Sequence, residues 1–172
     1  MAVPQEVLDL LASWRGVPAL VRDEHLMVLA SNPLARAVSA AFSPGVNIAR
    51  YTFLNEWSEE ATDDWSNVSA QVVAMLRSEV EARPGDETFR RLVGELAVSS
   101  EQFASLWAER DARARAIGTV TFEHPAVGPL RLTYQTLAIP TAPALSLMIW
   151  TAAPGEPQAV LDRLIELTER EC

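Results

Sequence analysis

After a long helical block the hydrophobic period of this chain changes to two at Gly118, and the change limits what it can fold into. Beyond it, "TVTFEH" sets Val120, Phe122 and His124 against Thr119, Thr121 and Glu123. In the same way "PLRLTYQTLAI" sets Leu130, Leu132 and Tyr134 against Arg131, Thr133 and Gln135. A period of two places alternate side chains on one face of a strand. A third run, "LSLMIW", is apolar on both faces and reads as a central strand, and "HPAVGP" supplies the Pro and Gly of the turn between the first two. Before Gly118 the period is helical. Between Trp57 and Arg83, residues Trp65, Val68, Val72, Met75, Leu76 and Val80 form one apolar face. "ARPGDE" breaks that helix, and Asp86 can cap the next, which carries Phe89, Leu92, Val93 and Leu96 on a stripe. Ser99, with Gln102 three residues on, has capping-box spacing for a third helix burying Phe103, Leu106 and Trp107, with Gly118 placed to end it.

The N-terminal part adds a short amphipathic helix, Pro4 to Trp14, and two strands, Ala19 to Arg22 and Leu26 to Ser31, joined by a polar turn at Asp23 and Glu24. "VLASNPLARAV" then turns from strand to helix within one residue. Asn32 is a preferred N-cap and Pro33 suits the first helical position, so a helix is predicted through Leu34, Ala35 and Val38 towards Phe42. A last helix spans Glu156 to Arg170. The chain therefore reads as one α+β domain: two N-terminal strands and a three-strand meander sharing an antiparallel sheet, helices over one face, and a helix at each end. That is the arrangement of a PAS-like sensor, in which the step at Asn32 hands the sheet over to the helices that wall a pocket.

Composition narrows the function. The 172 residues carry a net charge of −9 and a sequence pI near 4.7. A nucleic-acid binder shows a basic stripe; here every basic residue is arginine and the densest group, "AERDARARA", is a mixed-charge helix face. No apolar run approaches the ~18 residues of a membrane span. The acidic start lacks the pattern of a signal peptide, and the only cysteine, Cys172, excludes a disulfide framework, so the natural compartment is the cytoplasm.

Signatures of catalysis are missing: no nucleophile elbow, no phosphate loop, no dinucleotide fingerprint and no zinc-protease pair. Two isolated histidines make no metal site. His25 falls in a predicted hairpin turn and reads as a surface residue; His124, at a strand end, is the one candidate axial ligand for a haem and the one candidate base for a small hydrolase. No cofactor is expected. The tryptophans at 14, 57, 65, 107 and 150 suit either a core or the wall of an apolar ligand cavity. Arg50 interrupts the apolar run "NIARYTFLNEW", beside Tyr51 and Phe53, where an arginine needs either an internal acid or an anionic ligand group.

An ordered series of stretches resembles the ligand-binding domain of MmyB-like bacterial transcription regulators, from about Leu8 to Ala153. It comprises "LASNPLA", "NIARYTFL", "DDW", "LRSEVEARPGDETFRRLVGEL", "SSEQFASLWAERD", "HPAVGPLRLTY" and "MIWTAAPG". The chain departs from the family pattern at Ser31, where Trp is usual, at Arg110, where His is usual, and at "LNEW", where Asp-Pro is common. The resemblance implies a PAS-like domain sensing a small apolar or fatty-acid-like molecule. It also implies that DNA is bound only through an Xre-type helix-turn-helix domain not in this chain, with residues 1–16 as connector helix and 156–172 as C-terminal helix. The candidate ligand-binding residues are Arg50, Tyr51, Phe53, Trp65, Val68, Phe103, Trp107, His124, Leu132 and Tyr134, with Arg50 or Tyr51 as the anchor for a polar end. The alternatives are a small hydrolase using the same pocket and a ligand-free dimerisation module; a homodimer fits either regulatory reading.

Overall fold

A computed structural model describes residues 2–55, 65–109, 117–155 and 158–170 and, of Trp65, the backbone only. The predicted helix start at Trp57, the side chain of Trp65, Arg110, Glu156 and Cys172 lie outside the described residues. The elements run α1 (Gln5–Ser13), β1 (Ala19–Asp23), β2 (Val28–Ser31), α2 (Pro33–Val38), a 3-10 turn (Ala40–Phe42), α3 (Ile48–Leu54), α4 (Trp65–Ala82), α5 (Glu87–Ser99), α6 (Glu101–Ala108), β3 (Ile117–His124), β4 (Gly128–Ala138), β5 (Leu145–Ala152) and α7 (Gln158–Arg170).

The five strands form one sheet in the order β2-β1-β5-β4-β3, every pairing antiparallel. The strand that is apolar on both sides, β5, lies at its centre. Met148 and Trp150 face the larger core with Leu20, Leu132 and the helices α2 to α7, whereas Leu145 and Leu147 face a second core. That second core corrects the expectation that helices cover one face only. Val7 and Leu11 of α1, with Trp14 at its C-terminal cap, pack on the opposite side of the sheet, in one cluster with Ala19, Val21 and Ile139. The amphipathic α1 has one apolar stripe, and it buries that stripe on the apolar back of the sheet.

Asn32 is the N-cap of α2, and it does more than cap. Its Oδ1 accepts from the Ala35 amide at 2.9 Å and the Ala19 amide at 3.1 Å, while its Nδ2 donates to the carbonyls of Trp14 at 2.9 Å and Val17 at 2.7 Å. One buried side chain thus ties the end of α1, the start of β1 and the start of α2. The predicted helix through Phe42 is interrupted. Ser39 is extended, its Oγ accepts the Ala41 amide at 3.2 Å, and the chain restarts as the 3-10 turn.

Two further expectations need correction, and one helix is new. Helix α6 is capped by Ser100, whose Oγ accepts the Phe103 amide at 3.1 Å; Ser99 is still the last residue of α5. Gly118 does not end that helix but sits in β3. Helix α3 was not anticipated at all: Asn47 caps it by accepting the Arg50 amide at 3.0 Å.

Candidate functional site

A cavity of about 100 Å³ lies between the sheet and the helices that cover its larger core. Its floor is Val120 and Phe122 of β3, Tyr134 of β4, and Met148 and Trp150 of β5. Period-two alternation sends these five side chains to one face. The opposite wall is Ser39, Ala41 and Phe42 around the 3-10 turn, Ile48, Tyr51 and Thr52 of α3, and Val68, Gln71, Val72 and Met75 of α4. On α4 these four positions follow the i, i+3, i+4, i+7 rule, so they form one face. The break at Ser39 matters here, because it turns Ala41 and Phe42 inward. Phe42 then packs on Trp150 with ring centroids 4.5 Å apart and meets Phe122 edge-on at 5.8 Å.

Polar groups in this wall are few. The Tyr134 hydroxyl donates to Oε1 of Gln71 at 3.1 Å. Gly118 makes that reach possible: a Cβ there would stand 2.6 Å from the Tyr134 hydroxyl oxygen, so only glycine lets the ring lie over the β3 backbone. Beyond Tyr134 and Gln71 a more polar cleft opens, lined also by Asn67, Thr119 and Arg131.

The structure brings three of the candidate residues together in this wall: Tyr51, Val68 and Tyr134. Trp65 has no described side chain, and the other candidates stand elsewhere. Arg50 points away and is clamped by Glu95 at the surface, its Nε 3.0 Å from both carboxylate oxygens and its Nη2 2.7 Å from Oε2. Its hydrogen bonds hold the guanidinium's pKa above, and the Glu95 carboxyl's below, their ordinary values. Phe53, Phe103 and Trp107 form an aromatic seam between α3 and α6, Phe53 edge-on to Phe103 at 5.1 Å and Phe103 stacked on Trp107 at 5.4 Å. Arg77 covers Trp107 at 5.1 Å and donates to the carbonyls of Leu106 and Trp107, closing the end of α6. Leu132 is fully buried core beneath the helices. His124 accepts the Ala126 amide on Nδ1, which leaves Nε2 to donate to the Ala37 carbonyl at 2.9 Å and pin the β3–β4 hairpin to α2.

His25 is not a free surface residue. Its ring packs on Phe89 at 4.4 Å and Nε2 lies 3.1 Å from Asp86, the cap of α5. Next to it, the buried Arg22 reaches Glu79 at 3.3 Å, Glu79 takes Arg83 at 2.7 Å, and Arg83 approaches Glu24 at 3.7 Å. Burial pulls the Arg22 pKa down and Glu79 opposes that pull. These pairs fasten the β1–β2 turn to the end of α4. Among the described residues no group of three or more His, Cys, Asp or Glu could hold a metal ion, and no helix is long and apolar enough to cross a membrane.

Sequence reasoning never named Gln71, placed Phe42 only at a helix end, and counted Trp150 only among the tryptophans that suit a core or a cavity wall. Trp150 could have been found, since it ends the two-faced run "LSLMIW" in phase with Met148. Gln71 carried a signal too, as a polar residue one turn before Met75 on the apolar stripe of α4. A family model described as MmyB-like transcription regulator ligand binding domain matches residues 3–164. No curated protein matches the chain.

Proposed function

This chain belongs to the family of MmyB-like transcription regulator ligand binding domains, and from that premise we propose that its cavity seats a small apolar ligand whose binding regulates transcription. The observation that carries the reading is a cavity of about 100 Å³ between the sheet and its covering helices, walled mostly by aliphatic and aromatic side chains on six elements. Natural interiors hold few voids larger than a water molecule, and an apolar one stays dry and takes up apolar guests. Each buried methylene contributes about 0.8 kcal/mol, so a body of about six carbons gains ~5 kcal/mol before the cost of association. Tyr51, Val68 and Tyr134 contact the guest. A fatty-acid-like chain enters by its hydrocarbon end, and where it outgrows the space Met75, unbranched and adaptable, turns aside.

The sheet order suits a PAS-like sensor acting in the cytoplasm, with DNA read by a separate helix-turn-helix domain. A ligand shifts such a regulator only by binding its two states unequally. The test is a thermal-shift and tryptophan-fluorescence titration with benzene, followed by mass spectrometry of molecules released from the purified protein. Wild type should melt higher with benzene. Val72→Phe, which fills the cavity, should stay folded and lose the shift. An unmoved midpoint in the wild-type titration sinks the proposal.

A further inference from the structure

A second cleft, of about 520 Å³, opens at the joint that Asn32 fastens by its bonds to the carbonyls of Trp14 and Val17. Trp14 and Arg15 enter it from the end of α1, Pro33 from the start of α2, and Ile165, Thr168 and Glu169 from the last turns of α7. It shares no lining residue with the inner cavity. Its volume is that of a small-molecule site.

The lining divides by chemistry. Arg15 supplies a cation and Glu169 an anion, yet among the described residues they pair neither with each other nor with any other group. Thr168 adds an acceptor beside Glu169, because its hydroxyl proton goes to the Leu164 carbonyl at 2.8 Å and leaves the oxygen lone pairs available. The remaining lining is apolar, led by the Trp14 indole, Pro33 and Ile165. Charge then selects the guest. An anion meets Arg15 but also Glu169 and the field of a chain at −9, and a cation meets Glu169 but also Arg15. A molecule that carries both charges satisfies both residues and has no net charge to be repelled.

We propose that this cleft is a second ligand site, for a free α-amino acid with an apolar side chain. Its carboxylate pairs with the Arg15 guanidinium, its ammonium with Glu169 and the Thr168 oxygen, and its side chain lies on Trp14, Pro33 and Ile165. A bound amino acid bridges α7 to the end of α1, so it acts on the joint at Asn32 independently of any guest in the inner cavity.

The experiment titrates the full chain near neutral pH, by calorimetry, with L-leucine and its two truncated forms: 4-methylpentanoate, which lacks the amine, and 3-methylbutylamine, which lacks the carboxylate. Leucine should bind about tenfold more tightly than either. Arg15→Gln should bring leucine down to the affinity of 3-methylbutylamine, and Glu169→Gln to that of 4-methylpentanoate. Both side chains are exposed, so both variants should melt like wild type. Saturating benzene, the probe of the inner cavity, should leave the leucine affinity unchanged. Leucine that binds no better than its truncated forms overturns the proposal, and so does a preference that survives both substitutions. Displacement of leucine by benzene would move the guest to the inner cavity; it overturns the second site and leaves the reading of the first standing.

Discussion

Asn32 shows how much one side chain can hold. An ordinary N-cap loses about 0.5–2 kcal/mol on replacement by alanine. Here the same change also strands the Ala19 amide and the carbonyls of Trp14 and Val17, at a residue only 2% exposed. Asn32→Ala should therefore cost about 3 kcal/mol or more. Asn32→Asp separates the two roles, because it keeps the acceptor for Ala35 and Ala19 but sets a second oxygen against two carbonyls. Denaturant melts should show Asp destabilised almost as far as Ala; an Asp variant as stable as wild type would mean that the donor side of Asn32 contributes nothing. At the surface, the Arg50–Glu95 pair should matter far less. Both side chains are about two-fifths exposed, which holds the contribution below about 1 kcal/mol. Since the Glu95 pKa is lowered in the folded state, chiefly by hydrogen bonds from Arg50, its contribution is present above the ordinary glutamate value and is lost as pH falls through the folded one. Glu95→Gln should thus melt slightly lower than wild type near neutral pH, and the two curves should merge between about pH 5 and pH 3. A gap that persists in acid would assign the effect to packing.

At the scale of elements, periodicity was legible and interruptions were not. The meander of β3, β4 and β5 follows from alternation, α4 and α5 from their stripes, and the α2 start from Asn-Pro. The helix α3 escaped because it spans only two turns and its buried face, Ile48, Ala49 and Thr52, is too short and too polar to show a stripe; only its cap at Asn47 signals it. The break at Ser39 escaped for a related reason. Nothing in "RAVSAAFS" forbids a continuous helix, and the choice falls to Phe42, which finds Trp150 and Phe122 beneath it. Gly118 was misplaced because a glycine after a helical stripe resembles a helix stop, whereas its cause is Tyr134 on the neighbouring strand. The same limit applied to the site. Alternation found Tyr134 and the α4 stripe found Val68, but helical register alone could not tell that Phe103 and Trp107 face Phe53 rather than the cavity.

Seen whole, the molecule is an acidic shell around two cores that share a sheet, and its charge of −9 bears on what it can touch. A duplex repels such a surface, so an anisotropy titration of this chain at moderate salt should show no submicromolar, sequence-dependent DNA binding; a saturable curve that discriminates between sequences would refute this. The sheet itself has a subtler property. In β5 the side chains alternate between compartments: Met148 and Trp150 belong to the cavity floor, Leu147 and Ile149 to the seat of α1. The partition between ligand and α1 is thus a single backbone thick. Close-packed interiors are stiff and pass strain on instead of absorbing it. A guest in the proposed cavity site that leaned on Trp150 would load Leu147 and Ile149 through the peptide groups they share, on the side of the sheet where Leu11 packs. The floor of one room is the ceiling of the next, and a guest in the proposed cavity site would rest one backbone away from the seat of α1.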